Sequence, residues 1–280
     1  MRWSFKGKKI LITGGASGIG RIMARKACER GISDLIIWDN NSVAMEEISQ
    51  LFEPFETVIH YYHVDLKDKA AISSTAAEII SKFGSLDLII NNAGIIFGKY
   101  FLEHNQSEIL TSFEINTFAP MYITMHFLPG MISADKGIIC NISSMASLIG
   151  TTRMSAYLAS KWALTGWSES LRLEMAQRNK NIHILTVMPF FISTGMFEGV
   201  RSRIIPILNP ETVAEKTLHA IERKKAIIAM PLPYWFIRLC QGFFPIKIFD
   251  WVMKNIFGIY DSMNTFTGRD IADSKKSMLK

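Results

Sequence analysis

Short apolar runs alternate along the chain with longer segments in which apolar residues recur at helical spacing. Most of the short runs are apolar throughout, which is typical of strands covered on both faces. They predict strands at residues 8–13, 34–39, 57–64, 86–91, 137–143, 181–188 and 226–230. The longer segments predict helices around residues 19–30, 42–53, 68–83, 106–128, 155–179 and 210–224.

This repeated order of strand, helix and strand predicts an α/β fold with a doubly wound, Rossmann-type parallel sheet and right-handed crossovers. A ligand is expected at the carboxyl ends of the strands, where the strand order reverses. Residues 1–230 are interpreted as one dinucleotide-binding and catalytic domain, with a substrate lid at about 195–208. Composition changes after Pro231, so residues 231–280 are interpreted as an apolar, aromatic-rich helical extension.

The first predicted strand runs into the sequence TGGASGIG at residues 13–20, and a predicted helix follows. Its glycines permit a tight turn and a close approach of backbone amides to phosphate, and the helix N-terminus attracts negative charge. The alternative is a glycine loop that is merely flexible. The acid Asp39, nineteen residues after Gly20 at the end of the second strand, favours a nucleotide site.

Asp39 also predicts which nucleotide is bound. A carboxylate at this position accepts hydrogen bonds from the hydroxyls of an adenosine ribose. A 2′-phosphate would meet a like charge, and at ~4 Å this repulsion is roughly 1 kcal/mol in water and about 4 kcal/mol at an effective dielectric constant near 20. NAD is therefore predicted, with NADP disfavoured. A helix-capping role for Asp39 or Asn40 is compatible with this.

The stretch SAYLASKWAL, residues 155–164, places Tyr157 and Lys161 on the same face of a predicted helix. A solvent-exposed pair is the simplest alternative. A phenol has an ordinary pKa of about 10, and a neighbouring ammonium lowers it toward the range of a useful base. In CNISSMASLIG a strand delivers Ser143 and Ser144 to its carboxyl end, and strand alternation directs only one of them into the cleft.

The spacing Gly14-x-x-x-Gly18-x-Gly20, the sequence NNAG at 91–94 and Tyr157-x-x-x-Lys161 together resemble the short-chain dehydrogenase/reductase family. The resemblance runs from about residue 8 to residue 194. It implies a catalytic set of Asn116, Ser144, Tyr157 and Lys161. It implies cofactor contacts from Gly14, Ser17, Gly18, Ile19, Gly20, Asp39, Asp65, Leu66, Asn92, Ala93, Gly94, Tyr157, Lys161, Pro189 and Thr194.

The resemblance also implies a role for each catalytic residue. Ser144, thirteen residues before Tyr157, would donate a hydrogen bond to the substrate oxygen. Tyr157 would be the acid/base, and Lys161 and the oxidised nicotinamide would both lower its pKa. Lys161 would also hold the nicotinamide ribose. Asn116 would hold a water molecule behind the lysine, and Asp65 would contact the adenine amino group.

Two further features of the resemblance concern the loop after the sixth strand and the central sheet. Thr194 would bind the nicotinamide carboxamide, and Asn91 with its neighbours would close the cofactor floor. The chain departs from the family where Phe190 replaces the glycine that commonly follows the proline at 189. An aromatic surface is gained there and backbone freedom is lost.

Composition excludes several other classes of protein. Net charge is +6 and the basic residues are dispersed, so nucleic-acid binding is not predicted. Three cysteines without paired spacing suggest neither disulfides nor zinc, and the histidines do not form a metal set, so no metal is predicted. The apolar run Ile10–Ile12 is too short for a signal peptide, and no stretch is long enough to cross a bilayer. A cytoplasmic protein is expected.

The predicted lid at 195–208 is apolar, with Met196, Phe197, Val200, Ile204 and Ile205 among its residues. Few of its groups suit a sugar or a charged acid, so a hydrophobic alcohol or ketone is one interpretation. The other is that these side chains pack against the body of the protein.

The segment 234–260 is dense in aromatic residues, with Lys247, Asp250 and Lys254 forming one polar stripe at helical spacing. It either fills the core or a dimer interface, or it lies on a membrane surface. The tail and the sequence PFFISTGMFEG are similar to those of epidermal retinol dehydrogenases and lipid-droplet hydroxysteroid dehydrogenases. Those relatives usually begin with a hydrophobic anchor that is not seen here, so peripheral rather than integral attachment is expected.

The sequence thus predicts an NAD-dependent oxidoreductase that interconverts an alcohol and a ketone or aldehyde. The second resemblance implies steroids, retinoids or long-chain lipid alcohols as substrates. An NADP-linked reductase of acyl or sugar ketones is the alternative enzyme, and a lipid-surface binding protein with a vestigial nucleotide site is the alternative outside the enzymes. The family commonly pairs subunits through helices equivalent to 106–128 and 155–179, which implies a homodimer or homotetramer.

Overall fold

The computed structural model describes residues 2–268, which include a sheet of seven parallel strands. The strands are β1 (Lys9–Thr13), β2 (Asp34–Asp39), β3 (Val58–His63), β4 (Leu88–Asn91), β5 (Gly137–Ile142), β6 (Ile182–Pro189) and β7 (Ile227–Met230). Their order across the sheet is β3-β2-β1-β4-β5-β6-β7. The order reverses between β1 and β4, as in a doubly wound fold. The predicted Rossmann-type, single-domain α/β fold is confirmed.

Helices cover both faces of this sheet. They are α1 (Gly18–Glu29), α2 (Ser42–Glu47), α3 (Lys69–Phe83), α4 (Gln106–Phe113), α5 (Ala119–Ser133), α6 (Ser155–Gln177), α7 (Pro210–Glu222), α8 (Tyr234–Phe243) and α9 (Ile246–Asn255). Buried side chains of α1, α2 and α7 form the core of one face. Those of α3, α5 and α6 form the core of the other.

The apolar strands are explained by these two cores. Successive side chains of a strand point to opposite faces, so a strand covered on both sides has no polar face. Ile10 and Ile12 of β1 lie in the core beneath α1 and α7, and Leu11 between them lies in the core beneath α3 and α5. All six residues of β5 are buried, as expected for a central strand.

The helix predicted at 106–128 differs in form from the prediction. A π-helical turn, Glu114–Phe118, separates α4 from α5, and α5 continues past Pro129 to Ser133. Pro120 lies in the first turn of α5, directly after the π turn. The π turn contains Asn116 and buries its side chain completely, and such turns are frequent at functional sites.

The C-terminal extension folds back onto the body. After α9 the chain returns past the loop that precedes α6, where Thr151 Oγ1 donates a hydrogen bond to the Ile259 carbonyl at 2.8 Å. Arg153 Nη1 donates to the Met263 carbonyl at 3.0 Å, and Met263 is fully buried. Residues 269–280 of the predicted extension lie outside the described residues.

One alternative for the aromatic segment, packing against the body, holds for part of it, and contact with a membrane stays a prediction. Ile237 of α8 and Phe249 of α9 are buried against the body. Other large apolar side chains of the two helices are more than half exposed: Trp235, Leu239, Phe243, Ile246 and Trp251. Within residues 2–268, the helices lack the combination of length and apolar content that a bilayer crossing requires.

Candidate active site

The carboxyl ends of β1 and β4 are joined by direct hydrogen bonds. Thr13 Oγ1 accepts hydrogen bonds from the N–H groups of Asn92 at 3.0 Å and Ala93 at 3.1 Å. The Asn92 side chain donates back to the carbonyls of Thr13 at 3.0 Å and Gly14 at 3.1 Å. The two strands that flank the topological switch point therefore form one rigid floor.

The glycine turn lies directly on this floor. Gly14 has a φ of +65° and Gly18 a φ of +54°, which favour glycine. A Cβ on Gly14 would lie 3.0 Å from the Ala93 Cα, and one on Gly20 would overlap the Gly14 carbonyl oxygen. Side chains are thus excluded where the turn meets the floor, so the backbone itself forms the surface of the turn.

The first turn of α1 follows, and Ser17 is its N-cap residue. The Ser17 side chain makes no capping hydrogen bond. The first N–H groups of a helix, here those of Gly18, Ile19 and Gly20, have no intrahelical acceptor and attract anions. Together with the bare glycine turn, these donors fit the pyrophosphate of a dinucleotide.

Asp39 connects the glycine turn to the end of β2. Its Oδ2 accepts a hydrogen bond from the Ala16 N–H at 3.0 Å, and its Oδ1 accepts one from the Asn41 N–H at 3.1 Å. The helix-capping role considered for Asp39 or Asn40 belongs instead to Asn41, whose side chain accepts from the Ala44 N–H. The Asp39 carboxylate is partly exposed beside the turn, as a ribose-binding acid requires.

The remaining cofactor residues predicted by resemblance lie after β3, at the end of β6 and above the start of α1. Asp65 follows β3, and its Oδ1 accepts from the Lys67 N–H at 3.0 Å, while the partly buried Leu66 packs against the α3 face of the core. Pro189 ends β6. Thr194 lies over the start of α1, since a Cβ on Gly18 would be 3.8 Å from the Thr194 Cβ.

The two serines after β5 face different neighbours. Ser143 Oγ lies 2.7 Å from Thr165 Oγ1 and donates to the Lys161 carbonyl, so it faces the interior of α6. Ser144 begins a short 3₁₀ turn, and its Oγ accepts from the Ala146 N–H at 3.1 Å. Of the two, only Ser144 borders the small space above the sheet edge described below.

Tyr157, in the first turn of α6, meets Ser144 from the opposite side. Burial raises the pKa of the Tyr157 phenol to about 12, and a hydrogen bond with Ser144 acts in the opposite direction. Tyr157 is only 4% exposed, and loss of water disfavours the charged phenolate. The lowering of this pKa by Lys161 together with an oxidised nicotinamide stays a prediction.

Lys161 is one helical turn further along α6 and equally buried. Burial lowers its pKa to about 8. Its Nζ donates to the Ile142 carbonyl at 2.8 Å and lies 5.9 Å from the centroid of the Tyr157 ring. The ammonium is therefore held at the end of β5, within reach of the tyrosine.

Asn116 contacts the same helix through Ser160. Its Nδ2 donates to Ser160 Oγ at 3.0 Å and to the Ile95 carbonyl at 2.9 Å, while its Oδ1 accepts from the Ile95 N–H. Gly94 lies between Asn116 and Lys161, because a Cβ there would be 3.2 Å from Asn116 Oδ1 and 3.5 Å from Lys161 Nζ. Asn116 thus fixes the loop after β4 against α6, and its water-holding role stays a prediction.

The tyrosine is covered by aromatic side chains. The ring of Phe197, from the predicted lid, meets the Tyr157 ring edge-on at a centroid distance of 6.2 Å, and Phe191 packs on Phe197. The space beside Ser144 amounts to about 30 Å³, close to the volume of one water molecule. These rings account for part of the burial of Tyr157.

Several residues that complete the site are not evident from the sequence. Thr13 stands inside the quoted glycine motif, but its bridge to Asn92 and Ala93 depends on β1 pairing with β4. Asn91 donates to Asn141 at 2.8 Å, and Asn141 donates to Ser168 at 2.8 Å, which links β4, β5 and α6. The one available signal was the presence of polar residues in otherwise apolar strands.

Comparison with known proteins agrees with this geometry. Residues 8–204 match the family model described as short chain dehydrogenase. Human epidermal retinol dehydrogenase 2 is 35% identical over 99% of this chain and 89% of its own length. Human short-chain dehydrogenase/reductase 3 is 31% identical over 94% of this chain and 87% of its own.

A solved structure supports the fold. A short chain dehydrogenase/reductase from Burkholderia phymatum, in complex with NAD, superposes with a TM-score of 0.75 at 24% identity and covers 86% of this chain and 95% of its own. The family match spans most of the chain and includes the glycine turn, the serine after β5 and the Tyr157–Lys161 pair. The chain belongs to the short-chain dehydrogenase/reductase family of oxidoreductases.

Proposed function

We propose that this protein is an NAD-dependent oxidoreductase that interconverts a hydrophobic alcohol and the corresponding ketone or aldehyde. The observation that carries the proposal is the convergence of Ser144, Tyr157 and Lys161 at the end of β5, beside a glycine turn from which side chains are excluded. A proton donor and acceptor thus lie next to a surface suited to a dinucleotide.

The chemistry divides between the cofactor and these side chains. When bound, the nicotinamide supplies the acceptor or donor of the hydride. In the oxidation direction Tyr157 Oη takes the proton of the substrate hydroxyl, and in reduction it returns one to the carbonyl oxygen. Ser144 Oγ donates a hydrogen bond to the same oxygen, where negative charge develops. Lys161 Nζ favours the phenolate through its positive charge.

With the aromatic cover in place, Tyr157 is protonated at neutral pH, because burial raises its pKa. If the cover opens, water reaches the phenol and the free-energy cost of ionising it falls. The protonated phenol is the form that reduction needs, and the phenolate is the form that oxidation needs. The reaction is therefore expected to shift toward oxidation as pH rises.

A hydrophobic substrate is supported by the residues around the reacting groups. The space beside Ser144 is bordered mainly by apolar side chains, among them Met145, Ile149, Met154 and Phe190. The relative with 35% identity carries the name of a retinol dehydrogenase. Retinoids, steroids and long-chain lipid alcohols are the proposed substrate classes, and charged sugars are not.

The preference for NAD rests on Asp39. Its Oδ1 and Oδ2 are tied to the N–H groups of Asn41 and Ala16, so the carboxylate cannot readily turn away from the ribose position. A 2′-phosphate at ~4 Å would be repelled by about 1–4 kcal/mol, depending on the local dielectric. The proposal therefore includes discrimination against NADP.

Asp39→Asn is expected to lower the ratio of kcat/KM for NAD to that for NADP by about ten- to a thousandfold, because the amide keeps a hydrogen-bond acceptor but removes the charge. Steady-state kinetics with both cofactors measures this ratio. Asp65→Asn is the matched control: it removes a carboxylate near the predicted adenine site and is expected to affect both cofactors alike. An unchanged ratio in Asp39→Asn would contradict the assignment.

We also propose that α8 and α9 rest against a lipid surface in a cytoplasmic protein. The support is the set of exposed apolar side chains on these helices, which includes Trp235 at 67% and Trp251 at 60% exposure. Trp residues of this kind favour the headgroup region of a membrane. Lys247 and Lys254 on α9 add positive charge that suits anionic lipids.

A homodimer or homotetramer is proposed through α4, α5 and α6. These helices expose large apolar side chains on the outer surface of the molecule: Leu110, Met125, Trp162 and Leu173. Burial of such side chains against a second copy is a common basis of symmetric subunit pairing.

A screen for NAD reduction tests the whole proposal. Steroid, retinoid and aliphatic alcohols are offered with NAD or NADP, with and without anionic lipid vesicles, and absorbance of the reduced cofactor is followed. We expect turnover of apolar alcohols with NAD, increased by vesicles. Strong vesicle binding without turnover of any alcohol would favour a lipid-surface binding protein, and turnover of polar ketones with NADP would favour the other alternative.

A further inference from the structure

Two apolar spaces lie side by side beneath the C-terminal helices. The smaller is the space of about 30 Å³ beside Ser144. The larger has a volume of about 230 Å³ and is enclosed by α8, α9 and the chain on either side of them. Its lining includes Ile149, Phe236, Cys240, Phe244, Val252 and Ile259.

The wall of the larger cavity selects for hydrocarbon. All of its lining side chains are apolar apart from the thiol of Cys240, so water or a polar group inside would find no good hydrogen-bond partner. An engineered cavity of about 150 Å³ with a comparable lining binds benzene, which has six carbons. On the same scale, about 230 Å³ accommodates about nine carbons.

The two spaces are separated by two side chains. Ile149 and Ile259 line both of them. Ile149 follows the 3₁₀ turn that begins at Ser144, and Ile259 is held against the same loop by the hydrogen bond from Thr151. A chain attached to a carbon at Ser144 therefore enters the larger cavity once these two side chains move apart.

The cavity also reaches the protein surface. Phe236 and Phe244 line it and are 44% and 42% exposed. An apolar molecule can thus enter beside these phenylalanines without crossing the cofactor side of the sheet edge.

We propose that the cavity enclosed by α8 and α9 is the compartment for the apolar tail of the substrate, with Ile149 and Ile259 as the partition between tail and reacting carbon. This assignment rests on the proposed function, which it deepens. It identifies the substrate as an alcohol or carbonyl compound that bears an unbranched or slender apolar chain, of which about nine carbons lie beyond the partition.

Straight-chain primary alcohols from butan-1-ol to tetradecan-1-ol test the assignment, with NAD as cofactor. In the unmodified protein kcat/KM is expected to rise about fourfold for each methylene that enters the cavity. The rise should stop when the cavity is full. A kcat/KM that does not depend on chain length would overturn the tail compartment.

Variants that fill the cavity with a larger side chain test whether the substrate tail lies in it. Cys240→Phe projects into the cavity from α8, and Val252→Phe does so from α9. Each is expected to lower kcat/KM for the long alcohols by about tenfold or more, through the loss of a few buried methylenes, and to change butan-1-ol little. The matched controls are Leu239→Phe and Ile248→Phe, because these neighbours on the same helices point to the outside. Equal effects of filling and control variants would overturn the assignment.

A binding measurement separates this inference from the proposed function. Decan-1-ol is expected to raise the Tm of the unmodified protein without cofactor, and to raise that of Cys240→Phe less. The Leu239→Phe variant should respond like the unmodified protein. If no alcohol is oxidised but the Tm shifts follow this pattern, the proposed function fails and the tail compartment stands. If alcohols are oxidised and the Tm shifts are equal, the compartment fails alone.

Discussion

Replacement of Tyr157 by phenylalanine is expected to lower kcat by about 10³-fold or more, because general acid–base catalysis contributes about 10²–10⁴ and no other hydroxyl has the same position. The phenyl ring keeps its contacts with Met154, Phe191 and Phe197, so the fold should be preserved. Steady-state kinetics with a long-chain alcohol measures the loss. Titration of NAD by quenching of protein fluorescence should show nearly unchanged affinity.

Tyr61→Phe is the matched control for this variant. Tyr61 is a partly buried tyrosine of β3 whose hydroxyl finds no hydrogen-bond partner among residues 2–268. Strand β3 is an edge strand, and β2, β1 and β4 lie between it and β5. Its replacement should leave kcat unchanged and should not reduce stability. Turnover in Tyr157→Phe close to that of the control would refute the proton-transfer role.

Lys161→Met is expected to produce opposite effects on activity and on stability. Loss of the ammonium removes the charge that favours the phenolate, and kcat should fall by about 10²–10³-fold. The same substitution removes a charge that is buried at 3% exposure. Burial of that charge destabilises the folded protein. The same loss of water lowers the pKa of Lys161 from 10.5 to about 8.

The pH dependence of stability follows from this pKa. Between about pH 8 and 10.5 the unfolded chain binds a proton at Lys161 that the folded chain has lost, so the unmodified protein gains stability with rising pH. Relative to Lys161→Met, this gain is expected to reach about 3 kcal/mol. The loss in free energy of unfolding caused by the Lys161 charge is therefore full below about pH 8, and it shrinks as the pH rises above 8.

Urea unfolding of both proteins at pH 7 and at pH 10 measures this difference. Changes at groups distant from Lys161 occur in both proteins and largely cancel in the comparison. Lys216→Met is the control, since Lys216 is an exposed lysine of α7. A stability difference between the unmodified protein and Lys161→Met that stays constant from pH 7 to pH 10 would contradict a buried, destabilising ammonium.

The sequence predicts the sheet well because its strands are buried on both faces. All seven predicted strands are present with bounds that differ by no more than two residues, as for 86–91 against Leu88–Asn91. The glycine turn is equally local, since strand, turn and helix follow one another without a gap. Patterns that depend on near neighbours alone are those that can be recognised in a single chain.

What the sequence does not predict depends on contacts between distant residues. The π turn around Asn116 interrupts a segment that has a continuous helical pattern. The return of the chain after α9, which places Met263 beside Tyr157, joins segments about a hundred residues apart. The raised pKa of Tyr157 follows from its burial, and the side chains that bury it come from segments distant in the sequence, so local spacing does not predict it.

The hydrogen bonds from the N–H groups of Asn92 and Ala93 to Thr13 Oγ1 span 79 and 80 residues of chain. They fix the position of the glycine turn between β1 and α1. Contacts of such long sequence separation form late, since the intervening loop must close first. An emerging polypeptide on the ribosome therefore completes this turn only once β4 has been synthesised and has docked beside β1. Translation order thus sets the earliest moment at which a ligand of the turn can assist folding.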